Sequence, residues 1–150
     1  MIEIREATYT DDIEAFAELG RRDHERSRYA SIPYCVGTVM KLLVTMIDQR
    51  MLFIAEDEGR VVGAMGALLS PVHFNDAVLA GCMRFWWVDL PYQKTRLAVR
   101  LLDRLEQQAR ALGCKAWYVS AVTFDEARDL RRLFRRRGYV LAEHEWLLLM

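Results

Sequence analysis

Residues 86–113, WWVDLPYQKTRLAVRLLDRLEQQARALG, run from an apolar strand through a short polar turn straight into an amphipathic helix that stops at a glycine. Cys82 to Val88 is apolar and aromatic enough for a buried strand. Pro91 has no N–H to donate and cannot continue it, so the chain turns over Leu90 to Lys94. Ala98, Leu101, Leu102, Leu105, Ala109 and Leu112 then recur at helical spacing on one face, opposite Arg100, Asp103, Arg104, Gln107 and Arg110. Gly113 suits the left-handed residue just past a helix end. Unpaired first-turn N–H groups and the positive end of the helix dipole thus come to lie at the C-terminal edge of a strand, an arrangement that binds anions. Taken alone, the pattern equally describes a strand-turn-helix unit that binds nothing.

Composition narrows the class. At 150 residues and 53% hydrophobic the chain suits one domain, residues 1–150, around a single core. No charged-then-apolar leader is expected, and the longest apolar stretch, Val61 to Val72, is too short to span a bilayer, so the reading is cytoplasmic with no membrane partner. Cys35, Cys82 and Cys114 are odd in number and widely spaced, which suggests neither a disulfide framework nor a zinc site; buried thiols are expected and no metal is invoked. Lys plus Arg and Asp plus Glu number 21 each, which argues against a specific nucleic-acid binder.

Working outward, Ile2 to Thr8 reads as a strand, and Asp11, with Glu14 three residues on, reads as the cap of a helix carrying Ile13, Phe16, Ala17 and Leu19. After Gly20 the chain turns polar; Arg21 to Ser31 has no apolar face, Pro33 breaks it, and a second helix is expected from about Thr38. Met51 to Asp57 and Arg60 to Leu69 pair as a hairpin through Glu58-Gly59, and Ser70 to Asp76 connects to a strand over Val78 to Val88. Lys115 to Val122 follows the helix, so right-handed crossover makes it parallel to the strand before. Thr123 to Glu126 is a capping box for a helix that Gly138 ends, and Tyr139 to Leu149 is expected to close the sheet.

In this order, the stretches IEIREAT (2–8) leading to Asp11, MLFIAED (51–57), Glu58-Gly59-Arg60, VVGAMGALL (61–69), FWWVDLPYQ (85–93) and LFRRRGY (133–139) resemble the GNAT superfamily of acyl-CoA-dependent N-acetyltransferases. The resemblance implies an α/β fold: a mixed central sheet with flanking helices, in which two parallel strands splay apart and CoA enters the gap. By position it implies that the backbone of Trp87, Val88, Asp89 and Leu90 pairs with the pantetheine arm, and that Gln93, Lys94, Thr95, Arg96, Leu97 and Ala98 wrap the pyrophosphate. The implied reaction moves an acetyl group from acetyl-CoA, a co-substrate, to an amine of a small-molecule or protein acceptor by direct attack. Such chemistry needs a neutral amine, stabilisation of an oxyanion and a proton for the departing thiolate.

Two positions depart from the family pattern. Arg96 stands where the CoA loop usually has its first glycine, a residue that lets backbone approach phosphate. Its side chain either crowds the anion or, with Lys94, grips the phosphate oxygens, arginine bidentately. Phe134 stands where the family often has a tyrosine that donates a proton to the CoA sulfur. The alternative function is therefore a catalytically weakened GNAT-like binding or regulatory protein acting through protein contacts.

Glu25 and Asp89 are candidate bases, together with Glu143 and Glu145, and His24 lies beside Glu25 in the polar connector that resembles the family's acceptor side. Tyr29, Tyr34 and Arg84 are candidate acceptor contacts; a charge in a strand as apolar as that of Arg84 faces a cleft, a partner or an edge. His73 and His144 have no spaced partner for a triad or a metal. Arg128, Arg131, Arg132, Arg135, Arg136 and Arg137 make one helix basic, read as a solvated face. The acceptor is not specified by these residues, and a homodimer is left open.

Overall fold

In the computed structural model, which describes residues 1–120, 127–142 and 147–150, residues 1–119 form one unit and residues 120–150 a second. The first unit runs β1 (Glu3–Glu6), α1 (Ile13–Glu25), α2 (Val36–Asp48), β2 (Leu52–Asp57), β3 (Arg60–Val72), β4 (Asn75–Val88), a 3₁₀ turn (Leu90–Tyr92), α3 (Leu97–Ala111) and β5 (Ala116–Tyr118). The strands lie in sequence order, antiparallel from β1 to β4, with β5 parallel to β4 through the α3 crossover. The sheet is therefore mixed, as the sequence implies.

Strand alternation sends side chains to two faces. Leu52, Ile54 and Ala64 bury one face against Ala17 of α1 and Leu43, Met46 and Ile47 of α2. On the other face α3 packs across β2, β3 and β4, burying Leu101, Leu102, Leu105 and Ala109 of the stripe read from the sequence and, beside them, Leu97, while Ala98 and Leu112 are half-buried. Gly63 makes this approach possible: a Cβ there would sit 3.2 Å from Leu101 Cδ1 and from the Trp87 carbonyl. Phe85 and Trp87 pack against the α1/α2 cluster, so these aromatics belong to the core.

Several boundaries differ from expectation. Asp12, not Asp11, caps α1, accepting from the Ala15 amide at 2.9 Å. Asp11 is occupied elsewhere: it takes the Thr8 amide at 2.6 Å and two hydrogen bonds from Arg5, which also grips Glu56. That guanidinium and the Thr8 amide hold the Asp11 carboxyl below the usual carboxylate range. α1 also runs through Gly20 to Glu25. The glycine serves packing instead: Tyr34 Oη donates to the Ala17 carbonyl at 2.6 Å, and a Cβ on residue 20 would lie 2.7 Å from that oxygen. α2 starts at Val36 with Cys35 as its exposed cap, so this thiol is not buried. The β3–β4 arms extend to Val72 and Asn75, making strand of the expected connector and leaving His73 and Phe74 at the tip; Pro71, which cannot donate, sits beside a register shift.

A helical Gly→Ala change alone stabilises by about 1 kcal/mol. At residue 20 the contact with Tyr34 reverses the sign, and Gly20→Ala is expected to cost about 1–3 kcal/mol, as overpacking does. Tyr34→Phe removes the clashing oxygen, so the double variant should recover most of that loss. Chemical denaturation of the cycle measures the coupling; additive losses would show that the glycine has another purpose.

In the second unit α4 spans Ala127–Arg136, and the capping box at 123–126 lies outside the described residues. Gly138, at φ 84°, ends the helix as expected. Tyr139 N donates to the Phe134 carbonyl at 3.0 Å, and the Phe134 and Tyr139 rings stand 5.1 Å apart, the apolar contact that accompanies this kind of helix stop. Arg131, Arg132, Arg135 and Arg136 are exposed, as a solvated face requires. Residues 139–142 and 147–150 form no strand, and residues 143–146, with the candidates Glu143, His144 and Glu145, lie outside the described residues. The closing strand is therefore not found in either described part; alternation sets up a strand, but only a ladder partner makes one.

Candidate functional site

β4 ends by handing the chain to a loop held by its own hydrogen bonds and by ties to the β2–β3 hairpin. Asp89 N donates to the Val62 carbonyl at 2.9 Å, and the Asp89 carboxylate accepts from the Leu90 amide at 3.0 Å, starting the 3₁₀ turn that Pro91 opens. Gln93 Nε2 returns to the Val88 carbonyl at 3.1 Å. Thr95 Oγ1 donates to the Tyr92 carbonyl at 2.6 Å and accepts from the Leu97 amide at 3.1 Å. Leu97 N is thus satisfied, whereas the amides of Arg96, Ala98 and Val99 donate to no acceptor among the described residues. These are the orphan donors of a helix start. Lys94 and Arg96 are exposed beside them and form no ion pair among the described residues.

Arg96 has φ −79° and ψ 7°, a backbone that any residue adopts, so the loop does not need the missing glycine for its conformation. Its guanidinium caps nothing.

Beside the loop the parallel ladder is short. β5 pairs with β4 only at Ala80–Ala116, Gly81–Trp117 and Cys82–Tyr118, and Met83 to Val88 run on past it. Val119 and Ser120 are not strand, so β5 is shorter than the expected Lys115 to Val122. Arg84 sits where β4 has passed the β5 ladder and pairs with β3. Gly66 opposes Phe85 and Ala67 opposes Met83, so Arg84 is the extra residue of a bulge, and it is exposed. That placement explains how the strand tolerates a charge.

The other candidates separate. Asp89 accepts from Leu90 N with one carboxylate oxygen and from Arg60 at 3.3 Å with the other. Tyr34 spends its hydroxyl on Ala17, with the His24 ring tilted at 47° to its own, 5.2 Å away, and the Arg21 guanidinium 5.3 Å over its ring. His24 Nε2 lies 2.7 Å from the Ile32 carbonyl, a tie across the connector and not simple solvation. Glu25, the last residue of α1, and Tyr29, in the connector after it, are exposed, and Phe134 lies in the second unit. Three residues near the loop had no role in the sequence reading: Asp57, Arg60 and Tyr92. Tyr92 Oη donates to Asp57 Oδ2 at 2.7 Å. The strand register was the available signal, since pairing Val88 with Gly63 brings Asp89 toward Arg60.

The chain belongs to the GNAT acetyltransferase family, whose family model, described as "Acetyltransferase (GNAT) family", matches residues 7–139. Solved structures share the fold over the full length. A predicted acetyltransferase from Clostridium acetobutylicum, crystallised with acetyl-CoA, is 16% identical with a TM-score of 0.73, covering 100% of this chain and 96% of its own. An aminoglycoside acetyltransferase from an uncultured soil metagenomic sample, in complex with sisomicin, is 19% identical with a TM-score of 0.71, covering 99% and 97%. Glucosamine-6-phosphate N-acetyltransferase from Arabidopsis thaliana is 12% identical with a TM-score of 0.71, covering 99% and 98%. No curated protein matches significantly in sequence. Among the described residues no helix is long and apolar enough to cross a membrane.

Proposed function

We propose that this acetyltransferase takes its acetyl group from acetyl-CoA and passes it to an amine by direct attack, with the loop from Trp87 to Ala98 holding the donor. The observation that carries the reading is the set of amides at Arg96, Ala98 and Val99 without acceptors among the described residues, flanked by Lys94 and Arg96. Backbone donors at a helix start suit a diphosphate without any glycine or lysine. The Arg96 guanidinium, exposed and unpaired, adds a charge-assisted grip. The part of β4 beyond the β5 ladder supports a strand-like pairing with the amides of the pantetheine arm. Acetyl-CoA supplies an activated thioester; the protein's part is to bind and orient it and to admit an amine. Arg84 at the bulge, with Tyr29 in the connector, is the acceptor contact we favour, because both are exposed. The acceptor is an amine of a small molecule or a protein.

Calorimetric titration with acetyl-CoA tests the reading directly, and no heat of binding at millimolar donor would sink it. Arg96→Ala is expected to weaken binding about tenfold, the loss of one charge-assisted contact. Arg96→Gly should weaken it no less, because residue 96 already has an ordinary backbone conformation. Tighter binding in the glycine variant would show instead that the side chain obstructs.

A second reading, a donor-binding protein with weakened catalysis, is favoured by one observation: Phe134 carries no hydroxyl, and its ring is used against Tyr139. Turnover of acetyl-CoA by the unsubstituted protein, measured against a panel of amines, separates the two.

A further inference from the structure

Two side chains from the end of the β2–β3 hairpin reach the loop before α3, and we propose that this end positions the donor-binding loop. Asp57 acting through Tyr92, and Arg60 acting through Asp89, would hold the amides of residues 96–99 in the geometry that takes the diphosphate. The inference rests on the acetyl-CoA reading above.

The anchor is rigid for a backbone reason. Asp57 and Arg60 oppose each other as the last pair of the ladder, joined by Glu58 at φ 50° and Gly59 at φ 77°, the left-handed pair of a two-residue hairpin turn whose twist matches its strands. Both side chains therefore start from fixed points. The loop meets them because β3 carries the hairpin end alongside the end of β4, where Gly63 opposes Val88 and Asp89 N bonds Val62.

Tyr92 is the node. Its hydroxyl donates to Asp57 at 2.7 Å, its amide to the Asp89 carbonyl at 2.8 Å, and its carbonyl accepts the Thr95 hydroxyl at 2.6 Å. That hydroxyl in turn receives the first amide of α3, from Leu97. An unbroken chain of hydrogen bonds thus runs from Asp57 through Tyr92 and Thr95 to the start of the helix. Arg60 adds a second, more exposed tie at 3.3 Å to Asp89, which caps the 3₁₀ turn. From Asp89 to Ala98 there is no glycine, so these bonds and Pro91, not backbone permissiveness, set the loop's shape. The bond between Asp57 and Tyr92 also holds the carboxyl below its ordinary range and pushes the phenol above its own.

The test uses the full chain, with calorimetry for acetyl-CoA and trypsin as a probe of the donor-free loop at Lys94 and Arg96. Tyr92→Phe and Asp57→Ala should each raise the Kd for acetyl-CoA about tenfold. Both should also speed cleavage after Lys94 and Arg96 several-fold, roughly as a local opening does. Asp57→Asn keeps an acceptor for the phenol and should stay within about threefold of the unsubstituted protein. The double variant should be no worse than Tyr92→Phe alone. Unchanged affinity in Tyr92→Phe, with the parent protein binding normally, overturns the inference. So does a loss in Asp57→Asn as large as in Asp57→Ala. If the parent binds no acetyl-CoA, the proposed function fails, and the positioning role is then decided by the tryptic rates alone: equal rates overturn it and faster cleavage in the variants upholds it.

Discussion

Replacing Phe53 with alanine is expected to destabilise the protein by about 3–5 kcal/mol, the usual cost of removing a buried aromatic side chain. Phe53, the second residue of β2, is 1% exposed and paired with Glu6 on β1 and with Met65 on β3. The Arg104 guanidinium of α3 stands 5.4 Å over its ring. The ring lies against the helix that begins at the donor loop, so the cavity would open where α3 seats on the sheet. At about 2–4 °C per kcal/mol for a protein of this size, the melting temperature should fall by roughly 10 °C. Thermal and urea unfolding followed by circular dichroism measure both quantities. A loss under about 1 kcal/mol would mean that the neighbours collapse into the space and that Phe53 is not a keystone of this face.

The second large effect concerns rate. By the family resemblance, which sets residue 134 where a tyrosine often protonates the CoA sulfur, Phe134→Tyr should raise kcat for acetyl transfer by roughly 10²-fold, the lower end of what general acid catalysis contributes. A proton delivered to a departing thiolate matters in the transition state, so KM for acetyl-CoA should barely move. The substitution suits α4, because a tyrosine keeps the ring that meets Tyr139 at the helix end. Steady-state turnover with an accepting amine, or acetyl-CoA hydrolysis in its place, provides the readout. If an active parent protein gains nothing, water or another group already supplies the proton, or chemistry is not rate-limiting, and Phe134 is not the defect.

What was legible in the sequence followed from period and punctuation. The apolar stripe of α3, the Glu58-Gly59 turn and the Gly138 stop each have one local solution, and the structure has it. Less was legible where two local solutions compete. Asp11 and Asp12 are both capping residues, and only the long-range pull of Arg5 and the nearby Thr8 amide assigns Asp11 to another task. Gly20 looked like a helix end because its partner, Tyr34, lies fourteen residues away in a break that Pro33 shapes. The loop from Asp89 to Arg96 was legible as a turn from its strand, proline and helix, but the side chains that tie it were not, because Asp57 and Arg60 approach it only through the register of β3 on β4. At residue 96 the sequence left two readings open, a side chain that crowds the phosphate or one that grips it; the ordinary backbone angles there show only that the loop's conformation does not call for glycine.

The bulge at Arg84 makes β4 a strand of two phases. On the loop side of it, Trp86 and Val88 oppose Met65 and Gly63, so even-numbered residues face α3; on the other side Met83 opposes Ala67, and odd-numbered residues do. One inserted residue thus uncouples the halves. The half that borders the donor loop and the half that carries β5 can each change composition without forcing the other to swap its inward and outward sets. Deleting Arg84 would therefore bring both halves of β4 into one phase and force one of them to turn its inward set outward.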